Sequence, residues 1–515
     1  MADYAATLEV QVRLGDCLPP EHLARFVVDA VGVLDLSAIH ARYGAKGGQP
    51  YAPALLLGVL FYGYVTGVFS SRKLERATYE SIPFRYVAGN LHPDHDTLAH
   101  FRRTFLAEIR EAFVQVLLVA QQVGVLEPAV VSQDGTKVHA NASKSQAVSY
   151  QRLLELEPRV RAEVETLFAL ADQAEQQDLP AGVDVAGELA RRQERLAQLA
   201  LAKAVLGERA AQRHAAAQAD YEAKMAERAA KAARTGKPAR GRIPVPPTPG
   251  PRDTDQYNFT DPESRIMKNC TDQGFNQHYN GQVVVDQASL LVVSTTLSNH
   301  PTDQQEVAPT LDAIPHALGT PQAAALDAGY FSLANIRACE ERGIEPYIAP
   351  GREAHQQTLA HLLAPVVEPS AAGASPRLQM AAKLRTEAGQ RIYRARKRTV
   401  EPVIGIIKEV LGFRRFSLRG QEAAAGEWCL VCLAYNLKRL HALLGGVLPS
   451  VGLAQAAQRR GLAPIAAQRL ARWWVARWQR PIVAHLFQHR HHDAGWTRSA
   501  TPTVPLAFAF SPTGC

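Results

Sequence analysis

The sequence predicts an α/β protein: a mixed β-sheet flanked by helices, with a helical domain before it and a large helical insertion within it. Three observations carry this. Two β-rich runs, 279–286 (YNGQVVVD) and 290–297 (LLVVSTTL), lie either side of a short turn and read as an antiparallel hairpin. Beyond them, helices and short apolar strands alternate: helix at 303–314, strand at 323–327, helix at 333–342, strand at 346–349. Antiparallel strands followed by alternating elements give a mixed sheet covered by helices. The stretch 148–235 is rich in Ala, Glu, Gln, Arg and Leu, the composition of long helices.

Taken in order, residues 1–125 carry apolar positions at helical spacing, with a helix start at Asp96-Thr97 before Leu98. Residues 52–69 contain no charge over 18 positions, the threshold length for a membrane span. Pro53, Gly58, Gly63 and Gly67 interrupt that run, which reads instead as a core helix buried on all sides. The segments 70–75 and 95–103 each open a basic helix. Such helices suit a small DNA-binding domain, because helix N-termini and Arg side chains hold phosphate. They suit an ordinary packing domain with solvated charges equally well.

Residues 129–138 read as a strand ending in an acidic turn at Asp134-Gly135. The helical block follows, with Leu189, Leu196, Leu199 and Leu206 forming a partial heptad. An intramolecular helical hairpin is the favoured reading over a coiled coil between subunits. Residues 224–252 hold eight Lys/Arg against one Glu, with six prolines between 238 and 251, the composition of a flexible basic linker. The expected organisation is a helical, DNA-binding domain at 1–125, a sheet domain at 126–147 and 253–440, and a helical insertion at 148–235. A Pro-rich linker at 236–252 and a basic tail at 441–515 complete it.

The 515 residues are 47% hydrophobic and 21% charged, ordinary for a globular protein with a sizeable core, which excludes a disordered or fibrous chain. A net charge of +8 points to a polyanionic partner. Six scattered cysteines form no disulfide framework, which places the chain in a reducing cytoplasm, and the N-terminus has no signal-peptide pattern. Cys429 and Cys432 sit in an apolar helical run and read as buried structural cysteines; His485, His489, His491 and His492 read as part of a polar tail.

Three acids stand out by position. Asp134 and Asp327 each close an apolar strand before a small-residue turn, and Glu401 begins an apolar helix near Thr399, with Pro402 in its first turn. Taken singly, an Asp before Gly is a turn residue. Three converging carboxylates repel one another unless cations lie between them, and hard oxygen ligands select Mg²⁺ or Mn²⁺. Two such ions, about 3.5–4 Å apart, activate a water or a 3′-hydroxyl at a phosphodiester. From 391 to 419 there are nine Lys/Arg and two Glu, so Glu401 lies among phosphate clamps. Lys397, Glu401 and Lys408 are spaced to share one helical face.

Four stretches resemble bacterial insertion-sequence transposases of the DDE class: QDGTKVHANAS (133–143), NFTDPESRIMK with GFNQHYNGQVVVD (258–286), ALDAGYFS (325–332) and YRARKRTVEPVIGIIKEVLGFRRFSLRG (393–420). The last is similar to a Tyr-Arg-Glu-Lys signature, matched by Tyr393, Glu401 and Lys408. Either Lys397, at the expected spacing, or Arg396, one place early, fills the basic position before the Glu. Residues 51–105 look like that group's helical leader domain. The resemblance implies a ribonuclease H-like core with Asp134, Asp327 and Glu401 both catalytic and metal-ligating, and Mg²⁺ (or Mn²⁺) as cofactor. It implies DNA contacts by Tyr393, Arg396, Lys397, Lys408, Arg414 and Arg415. The partners would be double-stranded DNA, as element inverted repeats and as target, and a second copy in a dimer or higher synaptic oligomer. The setting would be the bacterial cytoplasm, nucleoid-associated when DNA-bound, with no membrane. Two rival functions remain open: a metal-dependent nuclease without strand transfer, and a non-catalytic DNA-binding protein derived from a transposase. Asp286 and Asp303 are the next acids should Asp327 not serve.

Overall fold

The computed structural model describes residues 11–43, 51–174, 184–238, 241–269, 274–351 and 375–448. The basic tail, with its histidine cluster and Trp473, Trp474 and Trp478, lies outside the described residues apart from 441–448.

Eight strands are present among them: β1 (Val130–His139), β2 (Ala147–Ser149), β3 (Gln256–Asn258), β4 (Arg265–Asn269), β5 (Gly274–Asp286), β6 (Val292–Ser298), β7 (Ala323–Leu326) and β8 (Glu345–Ile348). In the main sheet β5 runs antiparallel to β1, β4 and β6, while β7 lies parallel to both β1 and β8. His278 pairs with His139 on one side and Arg265 on the other, so β4 occupies the edge of β5 that β6 takes over from Asn280. The spatial order β6-β5-β1-β7-β8 is the ribonuclease H-like arrangement expected from the sequence. Val283, Val284 and Val285 are all fully buried, so both faces of the sheet are covered there.

Asp134 does not end its strand: β1 continues to His139, and Asp134 lies opposite Val283 in mid-ladder. The parallel neighbour β7 pairs only with Val130–Ser132, so Asp134 lies just past the point where that side of β1 opens. Gly135 is not a turn residue either. A Cβ there would sit 2.7 Å from Asp303 Oδ1, so the glycine makes room for side chains crossing the strand.

The N-terminal helices are α1 (Leu23–Gly32), α2 (Ser37–Ala41), α3 (Pro53–Val65), α4 (Ser71–Glu80), α5 (Ile82–Val87), α6 (His95–Thr104) and α7 (Leu106–Gln122). Helix α6 begins at His95, capped by the Asp94 carboxylate, slightly before the Asp96-Thr97 start read from sequence. The uncharged 52–69 run is α3, buried from Leu56 through Val65 as expected of a core helix. Among the described residues no helix is long and apolar enough to cross a membrane. These helices share one continuous hydrophobic core with the sheet.

The insertion supplies α8 (Tyr150–Ala174) and α9 (Val185–Thr235), and beyond it come α10 (Val307–Asp312), α11 (Leu333–Glu341), α12 (Pro376–Arg385), α13 (Glu387–Lys397), α14 (Val400–Gly405) and α15 (Gln421–Leu443). Helix α15 holds the sheet: Trp428 Nε1 donates to Gln282 O at 3.1 Å, and Asn436 bonds both the N–H and C=O of Val292 at 2.8 Å. Cys429 and Cys432 are buried in this helix, as structural cysteines should be.

The insertion is a helical hairpin within one chain. Strands β2 and β3 pair at its base, and Leu199 and Leu206 of α9 are buried with Val148, Leu153 and Tyr257 in a second, smaller core. In place of a flexible linker, residues 241–252 return along α9. Arg228 donates to the carbonyls of Gly241 and Arg242 at 3.3 and 3.5 Å, and Arg213 pairs with Asp255 at 2.8 Å. Pro244 and Pro247 are partly buried while Ile243, Val245 and Pro246 are exposed, the period of three that a polyproline II strand presents to a neighbour. Preset proline torsions make that ordered path less costly in chain entropy than composition suggested.

Candidate active site

The open edge beside Asp134 gathers residues from three distant parts of the sequence. Asp134 Oδ1 accepts the Gly135 N–H at 2.8 Å, and its Oδ2 receives Arg396 Nη1 at 3.3 Å. The other end of the guanidinium, Nη2, donates to Glu401 Oε1 at 3.1 Å. Asp327 follows β7 directly, where its Oδ1 caps a short turn by accepting Gly329 N–H at 2.7 Å. The Arg396 guanidinium lies 5.9 Å from the centre of the Tyr393 ring.

The chain turn at Arg398-Thr399 brings Arg396 and Glu401 together. Helix α13 ends at Lys397 and α14 starts at Val400, so the two side chains belong to different helices. In one continuous helix, residues five apart would point about 140° away from each other. Buried Thr399 fixes the turn: its hydroxyl lies 3.1 Å from Ser132 Oγ on β1 and donates to the Arg396 carbonyl at 3.0 Å. The single helical face expected for Lys397, Glu401 and Lys408 is therefore not formed. Arg396, buried to 7% exposure, is the cation on the acids, whereas Lys397 is exposed.

Lys408 departs from expectation for a second reason. Residues Ile406–Val410 form a π-helical turn, with Leu411 N–H donating to Ile406 O at 2.9 Å. The wider turn breaks the 3.6-residue repeat. Lys408 Nζ donates to the Lys137 carbonyl at 3.0 Å, tying this turn to β1 beyond Asp134. Arg414 pairs with Glu409, and the backbone of Arg415 forms a parallel β-bridge with His139, both arginines being exposed at the far end of β1. That is about 17 Å along the strand from Asp134. Phe413, Phe416 and Leu418, on either side of these arginines, are buried.

Sequence reasoning missed the polar group on the opposite face of β1. Asp303 accepts from Asn280 Nδ2 at 2.7 Å and Gln282 Nε2 at 2.9 Å, with Lys137 Nζ 3.7 Å away. Tyr330 OH donates to Gln282 Oε1 at 2.5 Å. The available signal was the period-two polar pair Asn280 and Gln282 within a buried strand. Asp286, the other reserve acid, lies opposite Val131, where its Oδ2 accepts the Ser289 N–H and Oγ–H. It is a turn residue away from this edge.

Electrostatics tie the acids to one space. Burial pushes the Asp134 carboxyl from the ordinary 3.8 up to about 7; Asp327 and Asp303 raise it too, against Arg396 and the Gly135 N–H. Burial disfavours the Arg396 charge, but Asp134, Tyr393, Asp327 and Glu401 more than offset it and strengthen the group's basicity. Burial, then Asp134, Asp303 and Asp327, hold the Tyr330 hydroxyl well above its usual range.

Between those two values for Asp134 the folded protein keeps a proton that the unfolded chain has released, so stability falls as pH rises through the window. In the presence of chelator, Asp134→Asn is expected to raise the thermal midpoint near pH 8 and to lose that advantage towards about pH 4. A midpoint difference independent of pH would contradict the assignment.

Oxygen donors of this kind suit a hard divalent cation. Yet among the described residues no three His, Cys, Asp or Glu side chains are grouped closely enough to hold one. The Arg396 guanidinium takes the place between Asp134 and Glu401 instead.

Sheet order and acids together define a ribonuclease H-like protein with an acidic site at the open edge of its first strand. A family model described as a transposase DDE domain matches residues 243–437, and one described as a transposase domain (DUF772) matches 12–104. The two take in more than half of the chain, which belongs to the insertion-sequence DDE transposases. The strand carrying Asp134 falls between the two matched regions. No curated protein and no solved structure matches the chain.

Proposed function

We propose that this transposase cuts DNA at the ends of its element and joins the freed ends to target DNA, using Asp134, Asp327 and Glu401 as ligands of Mg²⁺ or Mn²⁺. The observation that carries this reading is the convergence of the β1 and α14 carboxylates, Asp134 and Glu401, on one buried guanidinium, with Asp327 at the end of β7 acting on the same charge. A divalent pair held by such acids would activate the attacking oxygen and stabilise the leaving one. Water would free a 3′-hydroxyl at each end, and that hydroxyl would attack target DNA in line, with no covalent protein–DNA intermediate.

The remaining roles fall to cations around the edge. Arg396, backed by the Tyr393 ring, would present its planar fork to the scissile phosphate. Exposed Lys397, Arg414 and Arg415 would hold the duplex backbone on either side, with Lys408 fixing the π-helical turn that separates them. Double-stranded DNA is the proposed partner, in a complex of two or more copies that brings both element ends together.

A strand-transfer assay with duplexes carrying the element's own ends tests this. Joined products are expected. Cutting without joining would make the protein a nuclease, and binding alone would make it a non-catalytic derivative.

A further inference from the structure

We propose that Arg396 is a resident counter-cation that keeps the acidic site closed, and that its guanidinium must leave Asp134 and Glu401 before a divalent ion can be bound. This rests on the reading of Asp134, Asp327 and Glu401 as cation ligands.

The geometry gives the reasons. One fork of the guanidinium meets Asp134 Oδ2 at 3.3 Å and the other meets Glu401 Oε1 at 3.1 Å, so a single positive group spans both acids. Asp327 acts on the same charge from the end of β7. Converging carboxylates need positive charge between them, and here a side chain supplies it. With Arg396 in place, no group of three acids among the described residues is assembled to share an ion.

Arg396 is also not fully satisfied where it lies. Its Nε is buried and finds no hydrogen-bond acceptor among the described residues, although the residue is only 7% exposed. A buried donor left unpaired is costly, typically about 1–3 kcal/mol. The contacts themselves are single N–H···O bonds to two different carboxylates rather than a bidentate pair. A phosphate, with several oxygens in one plane of approach, suits the whole fork better than this divided arrangement.

Two positions for one side chain would couple two events. A DNA phosphate entering beside Arg396 would compete for the fork and release the carboxylates to the cation. Bound DNA would then favour cation uptake, and by reciprocity the cation would favour DNA. The protein without DNA would hold metal weakly, which limits cutting away from assembled ends.

The test uses the full chain with Mn²⁺ alone as probe, titrated and followed by the paramagnetic resonance signal of the free ion. Arg396→Gln is expected to bind Mn²⁺ on the order of tenfold more tightly than the wild type, because a competing charge has left the ligands. Its thermal midpoint should be lower than wild type in chelator and should recover with Mn²⁺. Arg396→Lys keeps the charge but cannot fork across two carboxylates, so its affinity should lie between the two. It carries the test if Arg396→Gln does not fold. Adding Asp134→Asn to Arg396→Gln should erase the tightening. Mn²⁺ affinity in Arg396→Gln equal to or weaker than wild type would overturn the closure while leaving the ligand assignment intact. No Mn²⁺ uptake by any of the proteins would overturn both.

Discussion

Asp134→Asn, Asp327→Asn and Glu401→Gln are each expected to lower DNA cleavage by at least about 10³-fold, with folding and DNA binding close to wild type. Each change preserves shape and removes the anionic oxygen that would ligate a cation. DNA affinity measured in chelator should persist, because it would come from many phosphate contacts made by cationic side chains rather than by these acids. Asp134→Asn has an added fingerprint: inactive, yet more stable than wild type in chelator above about pH 7. Single-turnover cleavage at saturating protein, alongside thermal melts, reads both. Asp303→Asn is the control within the same neighbourhood, since Asp303 is engaged by Asn280 and Gln282 on the other face of β1. A cleavage rate near wild type for Asp327→Asn, with loss in Asp303→Asn, would transfer the third ligand to Asp303.

The largest stability loss is expected far from that edge, at Glu427. This carboxylate is fully buried; Oε2 accepts the N–H groups of Ser417 and Leu418 at 2.8 and 2.9 Å. Its Oε1 accepts from Tyr64 OH at 3.2 Å and lies 3.9 Å from Arg102 Nη1, which itself donates to Tyr64 OH at 2.8 Å. One side chain therefore joins α3, α6 and α15 to the loop carrying Arg414 and Arg415. Glu427→Ala would leave Arg102 as a buried unpaired charge and orphan two backbone donors, at about 3–5 kcal/mol. Glu427→Gln should cost less, because one carbonyl oxygen remains. Urea unfolding measures the loss, and Arg102→Ala added to Glu427→Ala should cost less than the sum of the two single changes. Additive losses would mean that the three groups do not act as one network.

Much of the fold was legible because its signals were local. The 279–297 hairpin, the strand before Asp327 and the uncharged α3 run each show in pattern and composition. What escaped depended on long-range partners. Gly135 looked like a turn because its real requirement, room for Asp303 and Gln282, comes from residues roughly 150 positions away. Lys397 was placed on the face of Glu401, with Arg396 left as the alternative cation, because the sequence read as one continuous helix. The Thr399 hydroxyl, held against Ser132 of β1, breaks that helix and turns Arg396 inward instead. The π-helical turn before Leu411 likewise carries Lys408 to the Lys137 carbonyl. The Pro-rich stretch looked unstructured because its order comes from contact with α9, through Arg228 and Arg213. Asp327 and Glu401 stood out because a strand end and a helix start are visible in sequence; the buried guanidinium between Asp134 and Glu401 was not visible.

These acids are expected to act on DNA through a divalent cation. The most direct measurement is single-turnover release of 3′-hydroxyl ends from a duplex carrying the element's own end, first in chelator and then with Mg²⁺ added. The account predicts no cleavage in chelator and prompt cleavage after Mg²⁺, with Ca²⁺ supporting binding but little cutting, because in-line transfer needs tight octahedral ligation. Cleavage at an undiminished rate in excess chelator would contradict it.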